Sequence, residues 1–113
     1  MFGEPRDMQQ IDLQNNIFKN CIKSKAGSET FNTLLEHKNI KIELINSNSV
    51  ISGESYQQEQ DEWILLLEGE ATLEVEGVAQ LLKTGDYLFI SAQTVHRVLF
   101  TDKKTLWLAI HIF

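Results

Sequence analysis

The side chains in this 113-residue sequence best suited to chemistry are two imidazoles, His96 and His111, and the carboxylate of Glu62. Imidazole nitrogen and carboxylate oxygen together suit a divalent transition ion such as Zn, Fe, Mn or Ni. Shortly before Glu62 stand Tyr56 and Gln58. If that stretch is extended, its even positions, Tyr56, Gln58, Glu62, Ile64 and Leu66, share one face. A turn at Thr101 to Lys104 would pair Phe100 with Thr105, setting His96 opposite Ala109 and Thr94 opposite His111. The two histidines are then diagonal neighbours on paired strands, ~7 Å apart between backbones and within reach of one ion. A slip of one residue turns His111 to the other face.

Each of these residues also has a plainer reading. Glu62 can be a solvated carboxylate at the start of a strand, His96 an exposed strand-end histidine, and His111 a core histidine bonded to a carbonyl. Tyr56 and Gln58 can be ordinary exposed strand residues. Cys21 reads as a small packed hydrophobe, and Trp63 and Trp107 as core or interface aromatics. The sequence has no glycine-rich phosphate loop, no paired cysteines and no serine-nucleophile signature.

The elements that must position these groups are mostly short strands. Ser28 suits the N-cap of one short helix carrying Phe31, Leu34 and Leu35 on one face and ending near His37 to Asn39. His37 would there face the negative end of the helix dipole. From Ile40 the period changes to two: Ile40, Ile42 and Leu44 alternate with Lys41 and Glu43, as in a strand with one buried face. Glu62 to Leu67 and Ala71 to Glu76 read as a hairpin around Glu68, Gly69 and Glu70. A turn at Lys83 to Asp86, a strand at Tyr87 to Ile90 and a final strand from Thr105 complete the pattern. Short strands at this spacing predict an all-β sandwich or closed barrel. The expected organisation is one domain, with an arm and short helix over 1–39 and the barrel over 40–113.

Charge narrows the partners. The net charge is -6, and eight carboxylates fall between Glu54 and Glu76, with no lysine or arginine between Lys41 and Lys83. Such a surface repels phosphate, so nucleic acid is not an expected partner. The longest apolar runs are five residues, Trp63 to Leu67 and Leu106 to Ile110, against the ~20 a membrane helix needs. With no export signal in Met1 to Gln10 and one cysteine, a cytoplasmic protein without a membrane partner is expected.

The stretch from Tyr56 to His96 resembles the cupin family, whose motifs are G-x5-H-x-H-x3,4-E-x6-G and G-x5-P-x-G-x2-H-x3-N. Glu62, six residues and Gly69 match the end of the first; Gly85, ten residues and His96 match the second. Tyr56 and Gln58 stand where the family has its two histidines, Ser91 and Gln93 replace the proline and glycine, and Phe100 replaces the asparagine. The pattern is closest to small bacterial cupins carrying Glu62-Trp63, Gly85-Asp86-Tyr87, His96-Arg97-Val98 and a terminal Trp107-Leu108-Ala109-Ile110-His111.

The resemblance implies a double-stranded β-helix, or jelly-roll, barrel. It also implies a divalent metal held by Gln58, Glu62, His96 and His111, with Tyr56 as proton donor. Glutamine for histidine lowers the expected affinity, because a neutral amide is a poorer donor to such an ion. Three functions follow: a metal-dependent oxygenase or isomerase acting on a small molecule, a non-catalytic ligand-binding or sensing barrel, and a degenerate dimeric cupin without metal. Small cupins commonly pair, and the apolar last strand suits a homodimer interface.

Overall fold

The computed structural model describes residues 15–19 and 22–113. Cys21 and the Met1 to Gln10 arm lie outside the described residues. Eight strands are present: β1 (Ser28–His37), β2 (Ile40–Asn48), β3 (Asp61–Glu68), β4 (Ala71–Val75), β5 (Val78–Leu82), β6 (Tyr87–Ile90), β7 (His96–Thr101) and β8 (Thr105–Ile112). They form a five-stranded sheet, β1-β2-β8-β3-β6, and a three-stranded sheet, β5-β4-β7, every pairing antiparallel. This is the all-β architecture the alternation predicted, arranged as the jelly roll that the cupin resemblance implied.

The helix expected over Ser28 to Asn39 is instead β1. Its residues pair one for one with β2 from Ser28↔Asn48 to His37↔Ile40, apart from a bulge between Thr33 and Leu35. The pairing with β2 overrides a helical spacing that rested on three apolar residues, and the bulge accounts for the adjacent leucines. His37 therefore closes a hairpin and has no helix dipole beside it. The five-stranded sheet consequently starts at Ser28.

Two expected hairpins are crossovers between sheets. β3 pairs with β8 and β6, whereas β4 pairs with β5 and β7, so the Glu68-Gly69-Glu70 turn carries the chain from the large sheet to the small one. The Thr101 to Lys104 turn carries it back. The two crossovers lie side by side: Glu70 N donates to Asp102 Oδ2 at 3.0 Å, and Asp102 N donates to the Glu70 carbonyl at 3.0 Å. The tight hairpin is β4 to β5, where Glu76 and Gly77 both have positive φ, 49° and 79°, and Val75 pairs with Val78. Two left-handed residues in a two-residue loop match strand twist.

Between the sheets Ile64, Leu66, Ala71, Leu73, Leu82, Ile90, Trp107 and Ala109 form the core. Leu66 and Leu73 are almost wholly buried, each stabilising the fold by ~1.5–3 kcal/mol. The cross-strand register orders the interior: Leu66 lies opposite Trp107, Ile64 opposite Ala109, and Glu62 opposite His111. The inner face thus passes within two residue pairs from apolar to ionisable.

Candidate ligand and metal site

That ionisable end is a cavity of about 100 Å³ lined by Glu29, Glu43, Gln58, Glu62, His96 and His111, with Tyr56, Ile64 and Trp107 among its other walls. The five candidate site residues, Tyr56, Gln58, Glu62, His96 and His111, all border it. Glu62, His96 and His111 are 6%, 9% and 5% exposed, so all three are taken out of water.

The routes by which these residues meet differ from the expected ones. β7 and β8 belong to different sheets, so His96 and His111 are not diagonal neighbours on paired strands. They enter from opposite walls. Tyr56 is not on the strand that carries Glu62: it bridges β7, its N donating to the His96 carbonyl at 2.8 Å while His96 N donates back at 3.0 Å. The chain from Tyr56 to Asp61 passes between the sheets and leaves Gln58 partly buried.

The two imidazoles have different hydrogen-bond states. His96 Nδ1 lies 3.0 Å from the Thr94 carbonyl, which can only accept, so the proton sits on Nδ1. Nε2 faces Glu62 Oε1, 3.6 Å away. Glu62 Oε1 and Gln58 Oε1 are both buried without any hydrogen-bond partner. Unpaired buried oxygens are rare and costly. At His111, Gln60 Nε2 lies 3.1 Å from Nδ1 and Glu43 Oε1 lies 2.9 Å from Nε2, so both ring nitrogens are engaged.

Burial pushes the Glu62 carboxyl above its ordinary value, and Glu43 adds to this, while His111 and His96 act the other way. The Tyr56 phenol is raised as well, first by burial and then by Glu29 and Glu54, so it stays protonated as a donor. Among the described residues, no three histidine, cysteine, aspartate or glutamate side chains already converge as a ready-made metal cage.

Sequence reasoning missed Glu43, Gln60 and Glu29. The alternation in β2 made Ile40, Ile42 and Leu44 the candidate buried face, yet Glu43 and Ile45 line the cavity. The sheet has apolar residues on both faces, so alternation alone could not show which one closes over the site. Glu29 was hidden by the helical reading of β1.

The sequence profile of the cupin domain matches residues 43–111. The chain is a cupin. No curated protein matches it. Among solved structures, this cupin is 37% identical to a candidate mannose-6-phosphate isomerase from Ralstonia eutropha JMP134, covering 89% of this chain and 98% of that one with a TM-score of 0.77. A cupin superfamily protein from Desulfitobacterium hafniense DCB-2 is 20% identical over 91% of this chain and 94% of its own, TM-score 0.72. The cupin also superimposes on Fe(II) HppE at 17% identity, covering 74% of this chain and 50% of that one, TM-score 0.64. The last two likenesses concern the fold alone. No helix among the described residues is long and apolar enough to cross a membrane.

Proposed function

We propose that this cupin binds a small molecule inside the barrel at a site completed by a divalent transition metal, Zn, Fe, Mn or Ni. The observation that carries this reading is the pair His96 Nε2 and Glu62 Oε1, which face each other at 3.6 Å, beyond hydrogen-bond reach, with Glu62 Oε1 buried and unpartnered. A second orphan acceptor, Gln58 Oε1, lies in the same cavity. The His96 Nδ1 bond to a backbone carbonyl is the arrangement that orients a metal-ligating histidine. His96, Glu62 and Gln58 are the ligands, with His111 joining when its Nε2 leaves Glu43. Fe(II) HppE, which shares the fold, holds iron.

When bound, such an ion supplies Lewis-acid polarisation of a carbonyl or activation of dioxygen, the chemistry of an isomerase or an oxygenase. The chain's own part is to orient the ligand against Ile64 and Trp107 and to exclude water. Tyr56, protonated at neutral pH, donates a hydrogen bond or a proton at the mouth. A chelator-competition titration tests the site: Glu62→Gln and His96→Ala lower metal affinity at least about tenfold, equivalent to ~1.4 kcal/mol. Equal affinity in all three proteins contradicts it.

The full hydrogen bonding of His111 favours a second reading, a barrel that binds its ligand without metal or catalysis. In that case the titration shows no stoichiometric binding by the wild type.

We also infer a homodimer through the outer face of the large sheet. By strand alternation, the outward rows run Ile42, Ile110, Trp63, Phe89 and Leu108, Leu65, Tyr87, while Leu44 in the second row is already buried within one chain. Neither row contains a charge, so two copies of an acidic chain can meet there without burying carboxylates. Tyr87 and Phe89 are exposed, at 67% and 55%.

A further inference from the structure

At the mouth of the cavity a second polar device stands apart from the candidate metal ligands. Trp107 Nε1 donates to Ser47 Oγ at 3.0 Å, and Ser47 Oγ donates to Glu29 Oε2 at 2.5 Å. Ser47 is completely buried and Trp107 nearly so, whereas Glu29 is half-buried and borders the cavity. A carboxylate on the edge strand of a sheet would ordinarily turn into solvent. Here a buried donor chain holds it on the cavity wall, and each bond in such a chain polarises the next.

Carboxylates outnumber guanidinium groups around the cavity. Glu29, Glu43 and Glu62 line it against a single guanidinium, Arg97, whose Nε is already paired with Glu74 at 3.0 Å. Glu43 has His111 at 2.9 Å and Lys41 at 3.6 Å, whereas no ion pair to Glu29 forms among the described residues. An anionic ligand would meet three carboxylates against one guanidinium that already pairs with Glu74. The enclosed space is about 100 Å³, which suits a small molecule.

We propose that Glu29, held by the Trp107-Ser47 chain, is a ligand-recognition residue that accepts hydrogen bonds from a small, non-anionic, donor-bearing molecule: an amino alcohol or a polyol. Phosphate and carboxylate ligands are excluded by the same carboxylates. The proposal rests on the reading of the cavity as a ligand site and is independent of the metal.

The indole N–H of Trp107 is the natural reporter, because it is two hydrogen bonds from Glu29, which would touch the ligand. Its NMR resonance is followed while the metal-free and metal-treated protein is titrated with ethanolamine, with glycerol and with glycerol 3-phosphate. The expected result is a saturable shift with ethanolamine or glycerol, and none with the phosphate ester. Glu29→Gln weakens binding about tenfold, equivalent to ~1.4 kcal/mol, while leaving the ligand-free indole resonance near its wild-type position. Ser47→Ala, which releases Glu29 without removing it, gives a smaller loss and serves if the first variant fails to fold. Tighter binding of ethanolamine identifies an amine ligand; tighter binding of glycerol identifies a polyol. Preferential binding of glycerol 3-phosphate, unchanged affinity in both variants, or no saturable shift with either donor probe overturns the proposal. Glu29-dependent binding in a protein that takes up no metal leaves this inference standing and removes the metal reading. Metal uptake with preference for the phosphate ester does the reverse.

Discussion

His96 Nε2 and Glu62 Oε1 face each other at 3.6 Å from strands of opposite sheets. The ring's other nitrogen is committed to the Thr94 carbonyl and the oxygen has no hydrogen-bond partner, a deficit of donors at a buried carboxylate. Without an ion, that deficit is relieved by protonating Glu62, which is the direction in which burial already pushes it.

A pH dependence of stability follows. A carboxyl whose folded pKa is raised incurs no penalty below its ordinary value of 4.5, and loses stability as pH rises through the raised folded value. In chelator-treated protein, Glu62→Gln should therefore gain thermal stability relative to wild type as pH rises from 4.5 toward neutrality. Thermal melts across that range check it; a difference independent of pH contradicts the buried-carboxylate account.

Ser47→Ala should destabilise the protein by about 1–3 kcal/mol, because it leaves the buried Trp107 indole N–H without an acceptor. Denaturant unfolding measures the loss. A cost near zero would mean that water replaces the hydroxyl and that the donor chain to Glu29 is not rigid.

The crossovers between sheets tolerate less than the hairpin turn. At Gly69, φ is +86° and an added Cβ would lie 2.6 Å from the Lys104 carbonyl oxygen, whereas at Gly77, φ is +79° and the space is open. Gly77→Ala should cost about 1 kcal/mol from backbone strain alone. Gly69→Ala should cost at least about 2 kcal/mol, since backbone must also move. Equal unfolding midpoints would contradict the packed crossover.

Light scattering should give twice the mass of one chain, and Phe89→Glu should return it to the single-chain value with the barrel still folded. A wild-type monomer at the highest soluble concentration removes the dimer.

The all-β fold was legible in the sequence because the alternation in Ala71 to Val75 and the turn at Lys83 to Asp86 are local consequences of strand geometry and turn chemistry, while the spacing from Gly85 to His96 matched the cupin motif. Tyr56, Gln58, Glu62, His96 and His111 were legible as cavity residues through the resemblance to the cupin motifs and strand parity. What the sequence did not carry is which strands pair. The Glu68 to Glu70 and Thr101 to Lys104 turns have hairpin lengths, yet the jelly roll uses both to change sheets. His96 and His111 were thus brought together by a pairing that does not exist, and meet across the barrel instead. Glu43 and Glu29 escaped notice because a carboxylate opposite apolar neighbours is the ordinary sign of a solvated face, and only tertiary closure turns that face inward.

The central claim, that His96 and Glu62 hold a metal ion, is tested most directly by elemental analysis of protein purified without chelator, alongside His96→Ala and Glu62→Gln. Near-stoichiometric metal in the wild type and its loss from both variants is the result this site predicts. Substoichiometric metal in all three proteins would contradict it.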